Sequence, residues 1–236
     1  MSYIVKKFGQ MVGSSIETHP KRSQNLLKLG YALSGLQMKY FPEKYLLPHQ
    51  IYASVVCNSL IRHSLQNPGN SAVVNLFFPC ELLHAVGIKP ESVEGFSCYL
   101  NGACCERFFI DYIENVGMPK TLCSYHKTTL GAAFSKVLPK PKFIMATTMI
   151  CDANIITFRE LADFWEVPLF TVDIPGNNDE DSMGYVEDQL KQAVSFIEEN
   201  TNKKFDYERL KEVIRRENRS MGLYKKYLEE LSAKYI

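Results

Sequence analysis

The 236-residue chain lacks the features of a membrane-bound or secreted protein. No apolar run approaches the roughly 18–20 residues that a bilayer-spanning helix needs. The N-terminal segment MSYIVKKFGQMVGSS has no continuous apolar stretch, so it predicts neither a signal peptide nor an anchor. We therefore expect a cytoplasmic protein that does not engage a membrane.

The chain also lacks an excess of positive or negative charge. The 27 Lys and Arg residues nearly balance the 26 Asp and Glu residues, and the net charge is +1. Such a chain has no broad basic field for nucleic acid. No G-x-x-x-x-G-K-[ST], G-x-G-x-x-G or G-x-S-x-G sequence is present, so the chain shows no nucleotide-binding loop and no serine-hydrolase elbow.

Short apolar runs that alternate with helical patterns predict an α/β fold. A doubly wound, mainly parallel sheet of about four strands is expected, with N-terminal and C-terminal helices. The predicted strands are residues 73–78, 120–124, 143–148 and 168–173, and Asp152 is expected to cap the helix after the third. We divide the chain into an N-terminal arm and helices packed on the main domain (1–66), an α/β domain (67–200) and a C-terminal helical segment (201–236). Residues 1–19 are expected to form a loosely organised arm.

Seven cysteines are present, and several follow predicted strands. Cys80 comes after the first strand, Cys123 ends the second and Cys151 follows the third. Because parallel strands end at one edge of a sheet, these thiols are expected to meet there. Three more, Cys98, Cys104 and Cys105, lie between the first two strands and could reach the same edge. Cys57 falls within a helical pattern and is expected in the core.

Converging thiols have two main uses, as ligands of zinc or of an iron–sulfur cluster. The spacing has neither the C-x₂-C pairs and paired histidines of a zinc finger nor the ferredoxin C-x₂-C-x₂-C run. An odd number of cysteines also suits a disulfide framework poorly, in keeping with a reducing compartment. Iron–sulfur, zinc and buried structural thiols all remain open from spacing alone.

Glu81, His84 and His126 are the candidate catalytic residues. Glu81 and His84 stand one helical turn apart after Cys80, where they could move protons or surround a cluster with hydrogen bonds. Alternatively, Glu81 complements a helix N-terminus. His126 follows Cys123 and has the same two interpretations. A Cys123–His126 hydrolase pair would leave the other thiols unexplained.

Three stretches carry a family resemblance: FPCELLHAVG (78–87), LCSYHK (122–127) and TTMICDAN (147–154). They resemble the 2-hydroxyacyl-CoA dehydratase D-component / benzoyl-CoA reductase family. The stretch FSCYLNGACCER (96–107) is similar to the double-cubane-cluster branch, whose members are ATP-dependent reductases. The resemblance covers roughly residues 20–236.

The resemblance implies an oxygen-sensitive iron–sulfur cofactor, either [4Fe–4S] or a double-cubane [8Fe–9S] cluster. In the family, the cysteines matching Cys123 and Cys151 bind the cluster, together with a ligand from a second α/β domain. The extra ligands of a double cubane would be Cys80, Cys98 and Cys105, with Cys104 as the alternate for its neighbour. A separate activator ATPase that carries its own [4Fe–4S] cluster would supply the electrons.

These implications make the chain an oxidoreductase or lyase component, acting on an acyl-CoA or a small molecule. Family members are usually near twice this length, so the resemblance covers an N-terminal half. The alternative is a non-catalytic, half-length scaffold or assembly subunit that needs a second α/β domain or chain to complete the cluster site.

Overall fold

A four-stranded parallel sheet forms the centre of the protein. The computed structural model describes residues 3–235, and the strands lie in the order β2-β1-β3-β4. The strands are β1 (Ser71–Val74), β2 (Lys89–Ser92), β3 (Phe143–Thr147) and β4 (Leu169–Val172). Every pairing is parallel, with Ala72 opposite Pro90 on one side and opposite Phe143 on the other. The predicted α/β fold with a parallel sheet is confirmed.

Ten α-helices within residues 3–235 surround this sheet. They are α1 (Tyr3–Gly13), α2 (Pro20–Tyr40), α3 (Pro48–Gln66), α4 (Glu81–Ala85), α5 (Val93–Gly102), α6 (Glu106–Val116), α7 (Ser124–Phe134), α8 (Asp152–Trp165), α9 (Glu180–Thr201) and α10 (Tyr207–Tyr235). Proline at the first position of α2 and α3 fixes where those helices begin, because the first-turn N–H that proline lacks has no helical partner. Within residues 3–235, no helix is both long and apolar enough to cross a lipid bilayer.

Two local predictions are wrong. Residues 117–123 form turns rather than a strand, and the missing strand is β2, whose sequence Lys-Pro-Glu-Ser has no apolar pattern. A strand of this composition is tolerated because β2 is an edge strand, where proline need not donate to a neighbour. The expected loose N-terminal arm instead contains α1, whose Val12 is fully buried in the core.

The sheet separates two apolar clusters. Alternate residues of β1 and β3 point to opposite faces, as the two-residue period of a strand requires. On one face, Val73 and Ile144 join buried side chains of α2, α3 and α5–α8. On the other face, Val74 and Met145 pack against α4 and α9. The cysteine-rich segments are therefore shared between two faces of one sheet.

The carboxyl ends of β1 and β3 mark the place where the chain reverses its direction of strand addition. From β1 the chain first adds β2 on one side and then β3 on the other. Buried Asn75 ties the two ends together, since its Nδ2 donates to the Thr147 carbonyl at 3.2 Å and its Oδ1 accepts from the Thr147 N–H at 3.0 Å. Such switch points are the usual ligand sites of doubly wound sheets.

Candidate functional site

Four of the seven cysteines occupy helix N-cap positions. Cys80 precedes α4, Cys105 precedes α6, Cys123 precedes α7 and Cys151 precedes α8. The N-terminus of a helix carries partial positive charge. Asp152, expected to be the cap of α8, lies in its first turn instead, because the helix begins directly after Cys151.

The first turn of α7 contacts two further cysteines. The Cys98 thiol donates to the Tyr125 hydroxyl at 3.5 Å, and the Cys151 Sγ lies 3.8 Å from the His126 Nε2. Beside Cys98, the Ser97 hydroxyl donates to the Tyr125 carbonyl at 2.7 Å and fixes α5 against α7. The structure therefore places Cys98 and Cys151 against the first turn of α7, directly after Cys123.

Tyr125 and His126 both respond to this environment. The hydrogen bond with Cys98 raises the pKa of Tyr125, and the nearby charges of Cys98 and Cys123 add to the effect. Burial lowers the pKa of His126, with the Glu94 carboxylate opposing part of the change. The His126 ring is 4% exposed, and among residues 3–235 its Nδ1 has no hydrogen-bond partner. A neutral imidazole with Nε2 directed at Cys151 is therefore favoured near neutral pH.

Cys80, Glu81 and His84 lie on the opposite face of the sheet from α7. Cys80 packs against the apolar cluster that contains Val74, and burial raises the pKa of its thiol to about 12, with Glu81 adding to the rise. Burial also lowers the pKa of His84, to which Lys89 contributes. The structure does not bring these three residues into the group around the first turn of α7.

Cys104 and Cys105, which directly precede α6, differ sharply in burial. Cys105 is fully buried in the core, its thiol donates to the Leu100 carbonyl at 3.4 Å, and burial raises its pKa. Cys104 is partly exposed and has a positive φ of 56°, which turns the backbone sharply between α5 and α6. Cys57, expected in the core, is exposed, because α3 turns Ile61 and Leu65 inward instead.

A tight metal cage is absent from the described part of the chain. Across residues 3–235, no three His, Cys, Asp or Glu side chains come together in a way that could hold a metal ion. The seven thiols are free of disulfides. Within this group, Cys98 contacts Tyr125 and Cys151 contacts His126.

Lys127 is a site-supporting residue that the sequence did not reveal. Its buried ammonium donates to the Glu114 carboxylate at 2.6 Å and to the Lys120 carbonyl at 2.8 Å. These bonds fasten the 117–123 turn, which delivers Cys123 to α7. Tyr125 was missed as well. Its position two residues after Cys123 was the available signal, but the pairing with Cys98 depends on how α5 packs against α7.

Comparison with known proteins gives consistent matches. Residues 75–235 match the family model described as 2-hydroxyglutaryl-CoA dehydratase, D-component, which is more than half of the chain. The alpha subunit of (R)-phenyllactyl-CoA dehydratase from Clostridium sporogenes is 26% identical over 58% of this chain and 36% of its own length.

Two further relatives belong to the same group. The alpha subunit of (R)-2-hydroxyglutaryl-CoA dehydratase from Acidaminococcus fermentans is 28% identical over 41% of this chain and 21% of its own length. Lactoyl-CoA dehydratase subunit alpha from Anaerotignum propionicum is 28% identical over 53% of this chain and 35% of its own length. The matches span about a third or less of the length of these curated relatives.

Proposed function

The chain belongs to the 2-hydroxyglutaryl-CoA dehydratase D-component family, and from this premise we propose that it is the iron–sulfur component of an ATP-dependent low-potential reductase or 2-hydroxyacyl-CoA dehydratase. A separate activator ATPase with its own [4Fe–4S] cluster would deliver the electrons. The relatives are named as alpha subunits of dehydratases, which supports a further subunit or α/β domain as partner. The expected cytoplasmic location stays a prediction.

The observation that carries this proposal is the grouping of Cys98, Cys123 and Cys151 around the first turn of α7. Thiolates are the ligands that iron–sulfur clusters use, so the donor type suits a [4Fe–4S] or a double-cubane [8Fe–9S] cluster. Because a cubane takes four thiolates, the ligands beyond these three would come from Cys104 or from a second α/β domain. Of the Cys104 and Cys105 pair, we propose Cys104 as the ligand, because the Cys105 thiol is enclosed in the core. Cys80 is only partly accessible, since it packs against an apolar cluster.

When bound, the cluster would supply single electrons at low potential. The chain's own contribution is to hold sulfur atoms at helix N-termini and to place the hydrogen-bonding side chains of Tyr125 and His126 beside them. His126, kept neutral by burial, is placed to donate from Nε2 to the Cys151 sulfur and so to orient that side chain. Glu81 and His84 remain proposed proton-transfer residues on the α4 side of the sheet.

Iron and acid-labile sulfide analysis under strict anoxia tests the proposal. We expect a brown chain with about four irons for a single cubane or about eight for a double cubane, matched by sulfide. Zinc in place of iron would reject every cluster assignment. Replacing Cys104 and Cys105 separately by Ala shows which of the two is a ligand, because only Cys104→Ala should lower the iron content.

The second candidate function is a scaffold that completes its site only with another chain. Two observations favour it: residues 3–235 contain no ready-made metal cage, and the relatives extend far beyond the matched region. This candidate predicts a colourless, folded, metal-free chain that takes up iron only when mixed with a second α/β subunit. Iron uptake by the isolated chain would refute it.

A further inference from the structure

Helix α2 is apolar on two opposite sides, and within the described chain only one of them is covered. Leu27 and Tyr31 pack into the core. Two residues after each of them, about half a helical turn away, Leu29 and Leu33 point to solvent. They belong to a row of four side chains that are each 53–61% exposed, which we call the α2 stripe: Leu29, Leu33, Leu36 and Tyr40. A helix that is apolar all round is normally enclosed by protein, so the stripe marks a contact surface.

The spacing of the α2 stripe is that of a coiled-coil seam. Its members lie four, three and four residues apart, which is the a/d pattern of a heptad repeat, and half-buried Leu26 extends the pattern by one position. A row with this period packs best against a second helix that has the same period. The stripe contains no charged residue, so two copies of it can meet without bringing like charges into the seam. Both its spacing and its composition therefore suit pairing with itself.

The neighbouring helices hold the stripe outward. Gly35 packs so closely on α3 that an added Cβ would lie 2.5 Å from the Asn58 amide oxygen, and Gly30 lies against the Phe8 ring of α1. Close contacts on both flanks keep α2 from rotating its stripe into the core. The three helices α1 to α3 all precede residues 75–235, which match the family model. The matched region of the chain therefore does not include this surface.

Exposed aromatic side chains enlarge the surface at the end of α2. Phe41, Tyr45 and Tyr52 are each 73–80% exposed. Because Gly35 packs on Asn58, the chain positions put Tyr40 and Tyr52 at the same end of the α2–α3 pair. At about 200 Å² for a whole aromatic side chain, these three rings and Tyr40 offer roughly 600 Å². The exposed leucines of the stripe bring the total to about the 800 Å² per partner that a standard interface buries.

From these observations we propose that the α2 stripe and the aromatic side chains at its end form the interface of a symmetric dimer, in which α2 of one chain packs on α2 of a second copy. The same patch then serves on both chains about a two-fold axis, which is the commonest arrangement of homodimers. Tyr and Phe are also the residue types that are enriched at the centres of protein interfaces. The proposal goes beyond the cluster chemistry and does not depend on it.

Molar mass in solution tests the proposal. Light scattering of the full chain, purified with a thiol reductant so that exposed Cys57 cannot cross-link two chains, should give twice the mass of one chain. Interfaces of this size hold at micromolar concentrations or below, so the dimer should persist at about 10 μM. A wild-type chain that is still monomeric at about 100 μM would overturn the proposal.

Leu33→Glu shows whether the stripe is the interface. Leu33 is 59% exposed in the single chain, so the variant should fold normally, as circular dichroism can check. In the dimer it would place an unpaired charge inside the seam, and we expect the dissociation constant to rise at least about a hundredfold. Leu36→Ala removes a packed side chain without adding a charge and should weaken the dimer about tenfold. Leu223→Glu, at a 58% exposed leucine of α10, is the matched control and should remain dimeric.

Two other outcomes would assign the surface to a different occupant. A dimer that survives Leu33→Glu but dissociates in Leu223→Glu would lie on α10, and the proposal would be wrong. A monomeric wild type that co-sediments with phosphatidylcholine vesicles, and loses this property in Leu33→Glu, would make the stripe a lipid contact and would equally refute a dimer.

Discussion

Replacing Glu91 by Gln should stabilise the protein, and the gain should grow with pH. Glu91 lies in β2, is 4% exposed, and its Oε1 has no hydrogen-bond partner within residues 3–235. Burial raises the pKa of this carboxyl from 4.5 to about 8, and a hydrogen bond with Ser64 offsets part of the rise. The folded protein therefore holds a proton on Glu91 that the unfolded chain releases above pH 4.5.

The sign and size of the effect follow from this difference. Because the folded-state pKa is raised, the stability present below pH 4.5 is lost progressively as pH rises toward 8. Each pH unit in that window costs up to about 1.4 kcal/mol, so at pH 7 the wild-type protein has lost up to about 3 kcal/mol. Glutamine has nearly the same shape and does not ionise. For a chain of this length, the variant should melt roughly 5–10 °C higher at pH 7.

Parallel thermal denaturation of the wild type and Glu91→Gln between pH 5 and pH 8 measures this effect. The difference between the two free energies of unfolding should widen steadily with pH. Comparing the pair cancels the titration of every other group that the substitution leaves unchanged. Curves that stay parallel across this range would show that Glu91 is not held protonated, and the account of β2 would be wrong.

Two further substitutions test how the α7 region is held. Gly131→Ala should lower the free energy of unfolding by about 1–3 kcal/mol in denaturant titration, because a Cβ there would overlap the Phe109 backbone. Gly102→Ala is the control, since the space around Gly102 is open. Equal losses of stability in the two variants would contradict the close packing of α7 against Phe109. Lys127→Met should free the 117–123 turn and speed alkylation of Cys123 several-fold in mass-spectrometric labelling. An unchanged Cys123 rate, measured against exposed Cys57, would refute that role.

The sequence predicted the sheet where periodicity is strong and failed where tertiary contacts decide. Residues 143–147 are a continuous buried run, and β3 forms there. β2 could not be found, because three of its four residues are polar or charged and the fourth is proline, and only pairing with β1 makes the segment a strand. The strand was predicted at residues 120–124 instead, because the apolar Leu122 next to Cys123 resembles the end of a strand.

The candidate site, too, could be predicted from the sequence only in part. Cysteines that precede helices could be identified from turn signals, and four of them are N-caps, although only Cys80 and Cys151 follow an observed strand. Their sorting onto different faces depends on which way each helix crosses the sheet. Nothing in the sequence distinguished Cys104 from Cys105, because a single residue decides which thiol enters the core.

The most direct test of the central claim compares iron bound by two single variants, purified without oxygen and analysed beside the wild type. The claim is that thiols at the start of α7 share one inorganic cluster. Cys123→Ala should lose most of its iron and sulfide together with its visible absorption, whereas Cys57→Ala, altered at an exposed thiol on α3, should match the wild type. Equal iron in all three proteins would contradict the claim.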